Sequence, residues 1–460
     1  MLSLVTFPLI ARHLTLTEFG TLDFFLTLSS FGVTLFVFGQ DSSVARFFYE
    51  YENNLIRRQL ISQSLSFQLI GLIIVIPLLW ISSDWISNAL LGNNDHKSLY
   101  RIVLLQTPFL LIINFSQNLL KWTSQRSKYL FISLGMSCNY LFLIFIAIYI
   151  YDSRIYGILL INLGNCVIFA SLGLYFVREW LTRPSSFDHL KVMLPFAIPY
   201  GVLGIVSNFS PTLERVLINS SVGLDSLGLY AAATKLAMII TLITGSFQVA
   251  WGPFSMSLFK EHNSMRTFNS ILNLFAILIC ISTLCITLFS EMLVTIIASE
   301  KYRNASTLVF PIVMSLCIQS ISWITEIGIG ISKRTYLNFI PLLISVFATF
   351  IGIYILTPFL EILGVCLAIL FASILKSFLS SWLAQRAYPM RWSYFTSFFL
   401  IATTLICGGI ATWLRIYNFY YAANMLLIIC IFSMTSVFWI TLRKEIKENN
   451  AMNAVLISSI

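Results

Sequence analysis

The sequence predicts an all-α polytopic membrane protein. Two six-helix bundles, related by a pseudo-two-fold axis along the membrane normal, are followed by two further helices, giving about 14 transmembrane helices in total. Three observations predict it. Hydrophobic residues make up 58% of the 460-residue chain, charged residues only 10%, and the mean hydropathy is +0.86. One water-soluble core cannot hide that much apolar surface, whereas a helix of about 20 apolar residues spans lipid with every backbone group paired internally. Apolar runs of that length alternate with short polar gaps almost from end to end, and Lys and Arg concentrate in every second gap. Finally, the first six runs resemble the next six at a common offset.

The first run, 1–12, meets Arg12 after about half the length a bilayer needs, so the helix is short or its true start lies upstream. With no basic n-region and no small-residue cleavage site, a cleaved signal peptide is a poor reading. Runs at 21–39, 60–81, 101–120, 129–150 and 155–177 complete an N-terminal six-helix lobe, 1–177. Gly20 opens the second run, Arg57-Arg58 precede the third, and Lys121, Arg126 and Lys128 fill the gap before the fifth. A polar cytoplasmic linker, 178–191, has Pro184-Ser185-Ser186 at its centre. The C-terminal six-helix lobe, 192–383, holds 192–213, 227–250, 268–289, 306–329, 336–357 and 362–383. Two additional spans, 394–413 and 421–441, occupy 384–441, and 442–460 reads as a cytoplasmic tail. None of the runs alternates with period two, and each is too long for a barrel strand.

Eighteen of the 28 Lys and Arg lie in one set of gaps and seven in the alternate set; Arg215, Lys235 and Lys376 fall inside or at the edge of spans. The bias puts both termini in the cytoplasm. The net charge of +9 is then mostly a topology signal plus attraction to anionic headgroups. Spread over loops, it forms no stripe for nucleic acid. All eight cysteines fall within apolar spans and read as small buried hydrophobes. No cysteine pair has metal-ligand spacing with histidines nearby, and no Ser/His/Asp pattern, Gly-rich phosphate loop or carboxylate pair stands out. The expectation is a protein that is not an enzyme, with no metal and no cofactor.

The repeat is visible at an offset near 208. Gly20 follows Thr17-Glu18-Phe19, and Gly228 follows Asp225-Ser226-Leu227; Arg58 precedes the third run, and Arg266 the ninth. Ser83-Asp84-Trp85 and Ser290-Glu291-Met292 each begin an amphipathic outer stretch. Six helices per repeat is an even number, so both halves enter from one side. Two bundles with a seam are the architecture of an alternating-access carrier, with its substrate site near mid-bilayer. A channel would need a selectivity filter or a charged ring, and the sequence has no such motif.

The run Phe7-Pro8-Leu9-Ile10-Ala11-Arg12-His13-Leu14, followed by Thr17-Glu18-Phe19-Gly20, resembles the start of polysaccharide flippases in the multidrug/oligosaccharidyl-lipid/polysaccharide exporter superfamily. The likeness continues in Leu194-Pro195, Pro199, Glu214-Arg215 and Leu227-Gly228-Leu229-Tyr230-Ala231. Many relatives have Asp-Arg at the Glu214-Arg215 position, and the shortened first helix is a further departure. The resemblance implies a carrier of undecaprenyl-diphosphate-linked oligosaccharide repeat units, working at the bacterial inner membrane for O-antigen, capsule or exopolysaccharide synthesis. It also implies a polysaccharide polymerase and a chain-length regulator as partners. Such a cargo has a long lipid tail, a dianionic pyrophosphate and a bulky sugar. It needs a cationic, hydrated cavity and a lateral portal, and arginine suits the pyrophosphate because its planar fork binds two oxygens at once.

An ionisable group within a span is a functional hypothesis by default. The candidate cavity cations are Arg12, Arg46, Arg215, Lys235 and Lys376. Each has a plainer reading: Arg12 as a surface anchor, Arg46 as the local partner of Asp41, Arg215 as an ion pair with Glu214, Lys235 as a contact to a neighbouring helix, and Lys376 as the partner of Glu326. Glu326, deep in a span, reads either as a proton- or sodium-linked switch or as a neutral helix contact. Asp23 reads as a cap on the second span. Gln40 and Asn114 are among the polar points suited to sugar hydroxyls or to helix joining. The runner-up function is an ion-coupled multidrug or cation exporter of the same fold, which should concentrate acids in its spans, whereas this chain's intramembrane charge leans basic. A membrane-embedded glycosyltransferase or polymerase would need a large outer loop or acidic motifs that this chain lacks.

Overall fold

The computed structural model describes residues 2–91, 96–184, 186–259, 261 and 264–458, so Ser185 of the linker lies outside the described residues. The described chain is helical throughout and divides into two compact units, Met1–Ala231 and Ala232–Ile460.

The first unit opens with α1 (Leu2–His13) and α2 (Leu16–Val37). The start of α2 is written in its first residues. The Thr15 side chain accepts from the Glu18 backbone N–H and the Glu18 side chain accepts from that of Thr15, a reciprocal cap that satisfies two otherwise orphaned donors. The helix stops where Phe38 and Gly39 both adopt positive φ, and α3 (Gln40–Glu50) leaves at a new angle. Next come α4 (Asn54–Ile81), α5 (Ser83–Leu91), α6 (Lys97–Trp122), α7 (Arg126–Tyr149), α8 (Ile155–Val177), α9 (Asp188–Val222) and the start of α10 (Leu224–Leu258). The core of the unit is apolar, with Leu60, Ile61, Leu111, Leu119, Leu120 and Ile132 buried at its centre. α6 packs on α2 and α8, and α9 packs on α2, α3 and α4. Gly201 is what lets α9 come so close, since a Cβ there would stand 2.8 Å from the Phe38 carbonyl.

The second unit holds the rest of α10, then α11 (Ser264–Leu288), α12 (Ser290–Ile297), a 3-10 turn (Glu300–Ala305), α13 (Ser306–Thr325), α14 (Ile327–Ile331), α15 (Phe339–Ala387), α16 (Tyr394–Ile416) and α17 (Tyr420–Ser458). α13 is its buried axis, packing on α11, α15 and α16. α15 is folded at Glu361, the one non-helical residue within it (φ 47°, ψ −130°), into arms 339–360 and 362–387. The arms run antiparallel, which brings Gly352 against Ala368.

Among the described residues, 12 helices are long and apolar enough to cross a membrane. Dividing α15 at Glu361 and adding the short α1 supplies a helix at every run the sequence marks. α5 and α12 begin at Ser83 and Ser290, the two amphipathic starts of the repeat. The gap after the second run proves to be the helix α3. Its buried face (Gln40, Ser43, Val44, Phe48) is too short and too polar to stand out as an apolar run.

Candidate functional site

Charge is buried in the first unit where α2, α9 and the start of α10 meet. Asp23 lies two turns inside α2, because the helix begins at Leu16; it is 3% exposed and does not cap a helix end. Its Oδ2 accepts from Arg215 Nε at 2.8 Å, and Arg215 is itself 8% exposed. Arg215 Nη1 also donates to the Pro211 carbonyl at 2.9 Å, and its guanidinium stands 5.6 Å from the Tyr230 ring centroid. Tyr230 in turn donates its hydroxyl to Glu214 Oε2 at 2.8 Å, while Ser210 donates to Oε1. The partner of Arg215 is therefore Asp23, and Glu214 takes neutral donors. Successive residues on a helix point about 100° apart, so Glu214 and Arg215 cannot face each other. The sequence offered no sign that Asp23 is the partner, since 192 residues separate the two.

Close by, the Thr17 hydroxyl donates to Asp225 at 2.7 Å. A Cβ on Gly20 would stand 2.6 Å from the Leu224 carbonyl, and one on Gly228 would collide with that of Leu16. Here α2 and α10 approach backbone to backbone.

The remaining candidates of the first unit are dispersed. Arg12 is exposed in the last turn of α1. Arg46, also exposed, places its guanidinium 4.6 Å from the Phe196 ring centroid. It makes no ion pair with Asp41, which accepts from the Ser42 backbone N–H instead. Five residues along a helix is a turn of about 500°, which leaves the two side chains on different faces. Gln40 is fully buried; its oxygen accepts from Ser64, and its Nε2 is unpartnered. Gln40, Asp41, Ser64, Gln68, Asn114 and Asn118 surround a small polar cleft. Above it, with Gln68 shared, lies a much larger apolar cavity of about 690 Å³ between α2, α4, α5 and α6. Phe31, Leu35, Ile70, Ile74 and Val75 line it, with Gly32 and Gly71 in its wall. Its mouth carries exposed Leu35, Ile70 and Ile74.

In the second unit, Glu326 sits at the junction of α13 and α14, where its Oε1 accepts from the Ser322 hydroxyl at 2.8 Å. Lys376, on the second arm of α15, lies close enough for the two charges to interact. Lys235 is half-buried on α10. The cysteines are more varied than expected, with Cys138 exposed and Cys285, Cys407 and Cys430 half-buried. No group of three metal-binding side chains occurs among the described residues. A buried charge that sequence reasoning missed is Arg415: counted as a gap charge, it is 3% exposed. Its apolar neighbours Trp413, Leu414 and Ile416 were the available signal.

The family described as polysaccharide biosynthesis protein matches residues 1–259, more than half the chain. Among solved structures, the fold is similar to that of the lipid II flippase MurJ in an inward closed conformation (14% identity over 96% of this chain and 97% of that one, TM-score 0.73). It is also similar to an inward-facing multidrug resistance MATE family transporter of the MOP superfamily (13% identity over 84% and 93%, TM-score 0.70). A third likeness is to a MOP superfamily transporter from Pyrococcus furiosus, described as having a binding pocket of reversed polarity (13% identity over 80% and 86%, TM-score 0.57). At these identities the likeness is one of fold. No curated protein sequence matches the chain.

Proposed function

Because this chain belongs to the polysaccharide biosynthesis protein family, we propose that it is a flippase, carrying undecaprenyl-diphosphate-linked oligosaccharide repeat units across the bacterial inner membrane by alternating access. The observation that carries the reading is the match over residues 1–259, which takes in the whole of the first unit with its buried ion pair and its apolar cavity. The cargo's three parts each have a counterpart. The prenyl tail is a flexible hydrocarbon, and the 690 Å³ cavity offers it an almost wholly apolar wall. The pyrophosphate needs cations that can reach it; in the first unit the exposed Arg12 and Arg46 are separate candidates for that contact, and in the second the half-buried Lys235 is another. Arg215, already held by Asp23, acts as a positioning residue that fixes α9 on α2. The sugar needs many modest hydrogen bonds, for which the exposed Asn114 and the half-buried Asn118 are suited. Glu326 and Lys376, opposite charges within the membrane, are the pair through which a proton or sodium gradient would act. No step of this cycle makes or breaks a covalent bond, and the translocated units go on to a polymerase and a chain-length regulator for O-antigen, capsule or exopolysaccharide.

Deletion and complementation test the reading. The expected result is loss of surface polysaccharide with accumulation of lipid-linked units, both restored by the gene. Normal polysaccharide export combined with reduced dye efflux would replace the flippase by a drug exporter.

A further inference from the structure

Arg46 is held in place without spending a hydrogen bond. Its guanidinium lies over the ring of Phe196 on α9, 4.6 Å from the centroid, and 5.7 Å from the centroid of its own neighbour Phe47. Among the described residues its side chain makes no hydrogen bond and no ion pair, and Glu50, one turn further along α3, is exposed and unpaired with it. Arg215 differs, because its Nε is given to Asp23 and its Nη1 to the Pro211 carbonyl. A ring attracts a cation through its quadrupole and accepts no hydrogen bond in doing so, which leaves the five N–H donors of Arg46 available to an anion.

The ring that holds Arg46 is fixed by the seam between α3 and α9. Gly39, Ser43, Arg46 and Phe47 follow one another at three- and four-residue steps, so they share the face of α3 that packs on α9. A Cβ on Gly39 would stand 2.5 Å from the Gly201 nitrogen, so the chain meets α9 there backbone to backbone. One turn on, the buried Ser43 hydroxyl donates to the Met193 carbonyl at 3.0 Å. At the next turn Phe47 meets Phe196 edge to face, with ring centroids 6.3 Å apart, and Tyr200 backs Phe196 from the other direction along α9 at 5.0 Å. Phe196 is thus half-buried between two further rings, while Arg46 above it is exposed.

We propose that Phe196 is a positioning residue for the pyrophosphate of the cargo: it fixes the Arg46 guanidinium so that two N–H groups take two phosphate oxygens at once. The choice of ligand rests on the flippase reading above. The ring supplies orientation and the guanidinium supplies charge. A planar fork that is already oriented loses less rotamer freedom on binding than a free side chain does. Lysine does not substitute here, because its ammonium is a point donor on a flexible stem.

Binding of farnesyl diphosphate and of uncharged farnesol to the full chain in lipid nanodiscs tests this. Phe196→Leu should weaken diphosphate binding about two- to fivefold, the range an exposed cation–π contact sets, and leave farnesol binding and the melting temperature near wild type. Phe196→Trp, whose ring holds a cation more strongly, should bind the diphosphate at least as well as wild type. In an Arg46→Gln background, Phe196→Leu should weaken diphosphate binding no further, since there is no cation left to orient. Unchanged diphosphate binding in Phe196→Leu, equal weakening of both ligands, a full loss repeated in the Arg46→Gln background, or a wild type that binds the two ligands alike would each overturn the proposal. Failure of the flippase reading shows elsewhere, as a deletion strain that accumulates no lipid-linked units.

Discussion

Gly20 and Gly228 are equivalent positions in the two halves of the sequence, and in the folded chain they meet each other. A Cβ added to Gly20 would stand 2.7 Å from the Gly228 nitrogen, and one added to Gly228 would run into the Leu16 carbonyl. The contact is reciprocal, and Thr17 bonds to Asp225 across it, again at the same offset of 208. The spacing that marks the repeat in the sequence therefore also marks where two helices touch.

This contact gives a first prediction. Gly20→Leu and Gly228→Leu each drive a side chain into backbone that cannot yield, and each should destabilise the protein by about 1–3 kcal/mol. The double variant should cost clearly less than the sum, because one close approach is lost only once. Thermal unfolding of the detergent-solubilised protein measures all three. Strict additivity would mean that the glycines act separately.

The Asp23–Arg215 pair gives a second. Asp23→Asn or Arg215→Ala strands one buried charge, at a cost of about 3–5 kcal/mol, and should sharply reduce the amount of folded protein. Asp23→Leu combined with Arg215→Met removes both charges and should recover most of that stability. If the pair only positions α9, the double variant also recovers polysaccharide export. Recovery of fold without export would make the pair part of the cargo pathway. Lys235→Ala is the contrast: export should fall while the level of protein in the membrane stays near wild type, and normal export would remove Lys235 from the cation set.

How much of this was legible depended on which force wrote the signal. The spans were legible because lipid offers the backbone no partner, so each crossing needs a long apolar helix. The amphipathic starts at Ser83 and Ser290 were legible because they repeat. The capping pattern of Thr15 and Glu18 was also present in the sequence, and it would have placed Asp23 inside the helix. By contrast, the pairing of Asp23 with Arg215 depends on how α9 lies across α2, which local spacing does not encode; Glu214, the nearest acid in sequence, misleads for that reason. Arg415 looked like a loop charge because it stands at the very end of its span, where exposed and buried arginines look alike in sequence.

Glu326 and Lys376 carry a third prediction. Glu326→Gln keeps an oxygen to accept from Ser322 and removes only the charge. If this carboxylate couples transport to an ion, the variant should remain in the membrane at near-normal level, yet liposome transport should no longer respond to an imposed proton or sodium gradient. Its stability should fall modestly, because the Lys376 charge loses the opposite charge nearby within the membrane. Adding Lys376→Met should restore stability without restoring the gradient response. A gradient response that survives in both variants would make the pair a helix contact.

The apolar cavity of the first unit carries the fourth. Gly71 lies in its wall, and the nearest atom to a Cβ there is a ring carbon of Phe36 at 3.7 Å, an ordinary contact. Gly71→Ala should therefore be tolerated, and should even stabilise α4 by about 0.5–1 kcal/mol through the entropy a helical glycine loses on folding. Gly71→Phe places a ring in the cavity without disturbing the buried core around Leu111 and Leu119. If the cavity holds the prenyl tail, the Phe variant should be folded and should translocate a long-chain substrate several-fold more slowly. A short-chain analogue with the same headgroup should be affected much less, because it needs less of the wall. Comparing initial rates for the two substrates in liposomes separates this from a general defect, since a misfolded or rigidified carrier slows both alike. Equal slowing of both substrates, or no slowing of either, would take the tail out of this cavity.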